Sequence, residues 1–167
     1  MTSEWTTPEM IIAMSSVVIA LCALGATLWQ GYLTRKHNRL TVKPISSFYV
    51  SLSAHEDKIG IKFENKGYGP LIFTKSEISK NGKYFGLNDP NSMGLFNKLK
   101  SSQVHFNYPG VNAVLAPGES VWLVCSSEHK KNSELIQIME NEIVGLAIKI
   151  EFESIYGDKN SDSLELL

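Results

Sequence analysis

Met10-Ile-Ile-Ala-Met-Ser-Ser-Val-Val-Ile-Ala-Leu-Cys-Ala-Leu-Gly-Ala-Thr-Leu-Trp-Gln-Gly-Tyr-Leu33 is a run of 24 residues without one Asp, Glu, Lys, Arg or His. At helical rise it is about 36 Å long, enough to cross a hydrocarbon core of about 30 Å with some tilt. The run predicts a transmembrane helix over 10–33, since an ordinary core helix of a soluble domain does not sustain so long an uncharged stretch. Trp5, Trp29 and Tyr32 flank it as interfacial aromatics do.

Outward from this span, the two flanks differ in charge. Residues 1–9 carry Glu4 and Glu9 and no cation, whereas 34–43 carry Arg35, Lys36, Arg39 and Lys43 together with His37. Basic flanks stay on the cytoplasmic side, so the expectation is a short N-terminus outside and the rest of the chain inside. A secretory signal peptide has the opposite layout, with a basic start and a shorter apolar core. The same four cations are the expected contacts with anionic lipid headgroups.

Within the span, Ala13, Ser16, Ala20, Ala23, Thr27 and Gln30 recur at alternating spacings of three and four, which puts them on one stripe of a helix. Small residues let two membrane helices approach closely, and Thr27 or Gln30 can hydrogen-bond across such a seam. The stripe makes pairing with a second copy or with another helix an expectation. The plain alternative is a chance pattern in an Ala- and Ser-containing anchor.

Pro44 ends helical tendency, and 44–167 reads as one domain of about 125 residues, a common size for a single core. This portion has 12 Lys and Arg against 15 Asp and Glu, a net charge of −3. A mild acidic excess without a basic stripe excludes nucleic acid as the expected partner. Period-two patterns recur along it. Phe48, Val50 and Leu52 alternate, then Ile59, Ile61 and Phe63, and most clearly Leu146, Ile148, Ile150 and Phe152 with Lys149, Glu151 and Glu153 opposite. Asn81-Gly82 between 71–79 and 83–86 is a strong hairpin signal. The turn 65–70, Asn-Lys-Gly-Tyr-Gly-Pro, is rich in residues that tolerate positive φ. Further strands are expected over 112–115, 120–125 and 163–167. Leu135, Ile138, Met139 and Ile143 share a helical face. The section 87–109 is irregular, with a short helix expected from Asp89-Pro90 to near Leu99, where Met93, Phe96 and Leu99 fall three apart. About seven strands predict an antiparallel, immunoglobulin-like β-sandwich with one or two short helices.

The apolar N-terminal helix, the segment Lys-His-Asn-Arg-Leu-Thr-Val-Lys-Pro at 36–44 and the Asn-x-Gly-x-Gly-Pro turn at 65–70 together resemble a group of short bacterial single-pass membrane proteins of unassigned function. The resemblance implies a β-sandwich after the anchor and a bacterial origin only; with the span and its basic flank, the expected location is a bacterial inner membrane. Thr41 stands where Ser is expected, a departure that leaves a strand start intact. The group supplies no catalytic residue to carry across.

The chain offers little chemistry by itself. Cys22 and Cys125 fall on opposite sides of the lipid boundary, so they cannot pair, and an unstapled domain suits a reducing compartment. His37, His55, His105 and His129 share no ligand spacing. His105 and His129 beside Cys125 would suggest copper, but His129 adjoins Lys130 and Lys131 in a solvated setting. Glu56-Asp57 and Glu151/Glu153 predict a turn and a strand face rather than a catalytic cleft. No phosphate loop or dinucleotide fingerprint occurs, and Ser126-Ser127 beside His129 does not make a nucleophile. No metal, cofactor or catalysis is expected. Tyr84, Phe85, Phe96, Phe106 and Tyr108 either fill the end of the core or, where exposed, form a partner-binding surface. The expected role is a membrane-anchored protein-interaction or assembly module. The rival reading is an extracytoplasmic sandwich on an uncleaved signal anchor, acting in envelope binding or metal handling.

Overall fold

The computed structural model describes residues 7–52, 58–96, 104–126 and 133–167. Glu4, Trp5, His55, Glu56, Asp57, Leu99 and His129 lie outside them. The chain divides into two units, Met1–Thr41 and Val42–Leu167.

The first unit is one helix, α1 (Pro8–Thr41), with Pro8 at its start and no buried residue. Its 34 residues span about 51 Å. The apolar core of the helix has a mean hydropathy of 2.3 and is long enough to cross a membrane. The helix therefore runs on through Arg35, Lys36 and Arg39 before it ends.

The second unit is built from two antiparallel sheets. The first contains β1 (Ser46–Ser51), β2 (Gly60–Asn65), β5 (Val104–Phe106) and β7 (Ser120–Ser126), in the order β1-β2-β7-β5. The second contains β3 (Leu71–Lys80), β4 (Lys83–Gly86), β8 (Leu146–Glu153) and β9 (Lys159–Glu165), in the order β4-β3-β8-β9. A two-residue strand, β6 (Val114–Leu115), pairs with the start of β3. α2 (Ser133–Ile143) lies between β7 and β8, and a 3₁₀ turn covers Pro90–Leu95.

Alternation puts one face of each sheet inward, and the inward faces meet around Phe63. Its ring centroid is 5.0 Å from that of Phe48 in its own sheet, and 5.7 Å and 6.4 Å from Phe73 and Phe152 in the other. Ile61, Ile78, Ile148 and Ile150 are fully enclosed beside it, and Leu135, Met139 and Ile143 of α2 are buried. The hairpin turns on Asn81 and Gly82, whose φ values of 52° and 75° are those of a type I′ turn.

Two expectations are corrected. Within the described part of the helix foreseen over 89–99, the chain forms a 3₁₀ turn that ends at Leu95, and β5 is an unforeseen short edge strand. The glycines of 65–70 do not serve positive φ, since neither Gly67 nor Gly69 has it. They serve close approach. A Cβ on Gly69 would lie 1.7 Å from the Val42 carbonyl oxygen, and one on Gly67 would lie 2.4 Å from the Ile45 nitrogen.

Candidate membrane interface

The sequence 42–45 is held in place by the turn that Gly67 and Gly69 open to it. Asn65, fully buried, organises that turn. Its Nδ2 donates to the Gly69 carbonyl at 2.8 Å and to the Leu115 carbonyl at 3.1 Å. Its Oδ1 accepts from Gly67 N at 3.1 Å and from Ile45 N at 3.4 Å. The Lys66 amide donates to the Ile45 carbonyl at 2.7 Å, and Gly118 N and Glu119 O complete the backbone bonds of Asn65. Asn65 thus ties the first residues of the β unit to β2 and β6 through its side chain, and to the 116–119 turn through its backbone. The segments 36–44 and 65–70, distant in sequence, meet at 42–44.

Arg35, Lys36 and Arg39 occupy the last two turns of α1, with Arg35 and Arg39 four apart on one face. Arg39 also lies in the last turn, where a cation complements the helix dipole. Thr41 Oγ1 donates to the His37 carbonyl at 2.9 Å. Lys43 follows the helix and is exposed, with its carbonyl beside Gly67. Together these are four cations within nine residues, at the point where the chain passes from α1 to the β unit.

Ala13, Ser16, Ala20, Ala23, Thr27 and Gln30 all lie on α1 and are exposed. Ser16 Oγ donates to Ile12 O and Thr27 Oγ1 to Ala23 O, both at 2.8 Å. Their hydroxyl protons are spent within the helix, which leaves these two hydroxyls with acceptor lone pairs alone.

The aromatic set divides. Phe96 is 5% exposed and belongs to the core, with its ring tilted against Phe106 at 5.4 Å, and Phe106 in turn stacks on Tyr108 at 6.3 Å. Phe85, Phe106 and Tyr108 are half-buried against the core cluster. Tyr84, on β4, is 76% exposed. The five do not form one open surface.

Sequence reasoning missed two arrangements. Lys80 Nζ, at the end of β3, lies 3.1 Å from Glu142 Oε2 of α2, donates to the Glu142 carbonyl and sits 5.5 Å from the Phe96 ring. These two side chains are only 10% and 7% exposed. Only the fold brings them together, so no local signal marks them. On the outer face of β1-β2-β7, Lys62 lies between Tyr49 at 5.2 Å and Trp122 at 5.7 Å, and 2.6 Å from Glu64. Hydrogen bonding from Lys62, with the charges of Lys62 and Lys66, holds the Glu64 carboxyl below its usual range. The Lys149 partner lowers Glu151 in the same way, and Glu77 raises Lys75. Burial pushes the Cys125 thiol up, which favours the unreactive protonated form. His105 is the cross-strand partner of Cys125 but is exposed. Among the described residues no cluster of three or more His, Cys, Asp and Glu is arranged to hold a metal ion.

The class defined by these features is a β-sandwich unit carried on one candidate membrane-spanning helix. No family model and no curated protein matches the chain. Among solved structures it is similar to the archaellum periplasmic stator protein FlaG from Sulfolobus acidocaldarius, at 12% identity over 72% of this chain and the whole of that one, with a TM-score of 0.27.

Proposed function

We propose that this chain is a membrane-anchored binding module. In this reading α1 crosses a bacterial inner membrane with its N-terminus outside, and an immunoglobulin-like sandwich acts on the cytoplasmic side in protein interaction or assembly, without catalysis. The observation that carries the reading is that the β unit starts at Val42, directly after the last residue of α1. A domain tethered without a linker stays beside the bilayer, which raises its effective concentration toward other membrane-bound proteins.

The strand order supports the immunoglobulin-like type. Lettering β1, β2, β3, β4, β5, β7, β8 and β9 as A, B, C, C′, D, E, F and G gives A-B-E-D in one sheet and C′-C-F-G in the other. The short β6 and α2 are then additions on either side of strand E. Orientation rests on the collar of Arg35, Lys36, Arg39 and Lys43 opposed to Glu4 and Glu9. A binding role fits the perturbed ionisations among the described residues, which belong to surface ion pairs and one buried thiol on different strands. The expected contacts are anionic lipid at the collar and a protein partner, with a second copy pairing through the small-residue seam of α1 as one form of it.

Fusions to Leu167 test the reading. A fluorescent protein should be bright and alkaline phosphatase inactive. An active phosphatase fusion would move the domain outside and defeat the cytoplasmic assignment.

A further inference from the structure

Beyond α1, ten large hydrophobic side chains are exposed among the described residues, and five of them, Ile45, Tyr68, Val114, Ile155 and Tyr156, fall at one end of the sandwich. The registers define that end. Ser46 pairs with Asn65 and Glu64 with Ser120 in the first sheet. In the second, Ile72 pairs with both Val114 and Glu153, and Glu153 with Lys159. The Asn65 amide joins the two sheets here through Leu115. The same end receives the chain from α1, because Gly67 and Gly69 pack on 42–45.

We infer that this end of the β unit is a lipid-contacting surface, which seats Tyr68, Ile155 and Tyr156 in the interfacial layer of the bilayer that α1 crosses. The inference rests on the reading of α1 as a membrane span and is independent of which side the domain occupies. Tyr68 is 83% exposed, yet the turn that carries it is fixed by the four hydrogen bonds of the Asn65 side chain. Ile155 and Tyr156 lie in a turn fixed by Ser154 Oγ, which accepts from Tyr156 N and Asp158 N at 3.2 Å. Rigid turns that hold aromatic and aliphatic side chains outward match the headgroup layer, where an amphipathic ring keeps its hydroxyl wet and its body in the acyl boundary. Continuity fixes the occupant. Leu33, where the uncharged run ends, is joined to Val42 by the last eight residues of α1, about 12 Å of helix, so the chain itself keeps this end within reach of the headgroup layer. Lys43, Lys66 and Lys159 share this end with Glu64, Glu119, Glu153 and Asp158, with Lys66 paired to Glu64 at 3.7 Å, so no net cationic patch draws it to headgroups and the contact is carried by apolar insertion and resists salt.

The test uses the full chain carrying Cys22→Ser, with Tyr68→Cys, Ile155→Cys or Tyr84→Cys labelled by an environment-sensitive fluorophore. Cys125 is buried and stays unlabelled. The vesicles contain equal parts phosphatidylcholine and phosphatidylglycerol, with or without a nitroxide headgroup lipid. Tyr84 marks the opposite end, since it pairs with Ser79 near the far end of β3. Quenching at positions 68 and 155 should exceed that at 84 by at least about twofold and persist in molar salt, as interfacial insertion requires. Equal quenching at all three positions, or loss of the difference in salt, overturns the inference. Alkaline carbonate extraction of the same vesicles reports α1 separately: an extracted chain defeats the membrane span itself, whereas a retained chain with unquenched 68 and 155 defeats only the lipid-contacting end.

Discussion

Asn65 has four polar neighbours in place of water, and each is a backbone group that loses its partner if the amide is removed. Asn65→Ala in the fragment 42–167 should lower the unfolding free energy by roughly 2–4 kcal/mol, the cost of leaving two carbonyls and two N–H groups without the amide. Asn65→Asp should cost more at neutral pH, because an oxygen then faces the Gly69 and Leu115 carbonyls where Nδ2 donated. Urea midpoints of the three proteins give the comparison, and an unchanged midpoint for Asn65→Ala would remove Asn65 from its organising place. The turn itself was legible, since Asn-x-Gly-x-Gly-Pro between two alternating runs is turn chemistry. The reason for its glycines was not. Positive φ is a local property that sequence can suggest, whereas the approach of Val42 and Pro44 to a missing Cβ is a contact between residues 27 and 23 positions apart. Tyr68 was equally hidden, because residue type does not say which side of a turn faces out.

Elements with a strong local period were readable before any coordinates: β2, the β3–β4 hairpin, α2 and β8 all fall within a few residues of their expected places. β5 was not, because a three-residue edge strand contains too little alternation to register, and only its pairing with β7 defines it. The same nonlocality conceals the joint between β3 and α2. Lys80 is placed by the hairpin and Glu142 by the last turn of α2, and their charges meet where little water reaches. Glu142→Ala would leave the Lys80 ammonium enclosed beside the Phe96 ring without its carboxylate, and should cost about 3–5 kcal/mol. The double change Lys80→Met with Glu142→Leu should recover much of that loss, since an apolar pair of similar volume avoids desolvating two charges. Thermal and urea unfolding of the single and double variants check this. A double variant as unstable as Glu142→Ala would mean that α2 is held by the pair's specific hydrogen bonds rather than by its packing.

At the scale of the whole molecule, location is written locally and organisation is not. A 24-residue uncharged run and a cluster of cations are properties of composition along the chain, so a candidate anchor and its collar can be read from residues 1–43 alone. The arrangement of two sheets, and the gathering of Ile45, Tyr68, Val114, Ile155 and Tyr156 at one end, depend on register between segments far apart, which no window of sequence contains. Direction across the membrane should therefore be a separable, local property that can be altered without touching the sandwich. Arg35, Lys36, Arg39 and Lys43 are exposed, so replacing all four with Gln leaves the core and the Asn65 turn intact. Cations within about 15–20 residues of a span decide its orientation, and the N-terminal flank has none to compete. The quadruple variant should give a mixed population, with phosphatase activity appearing at the C-terminus and fluorescence of the matching fusion falling. Lys149→Gln with Lys159→Gln, which removes two cations more than 100 residues from the span in the sequence, should change neither reporter. A quadruple variant that keeps the original reporter pattern would show that the collar does not set direction, leaving it with lipid contact alone.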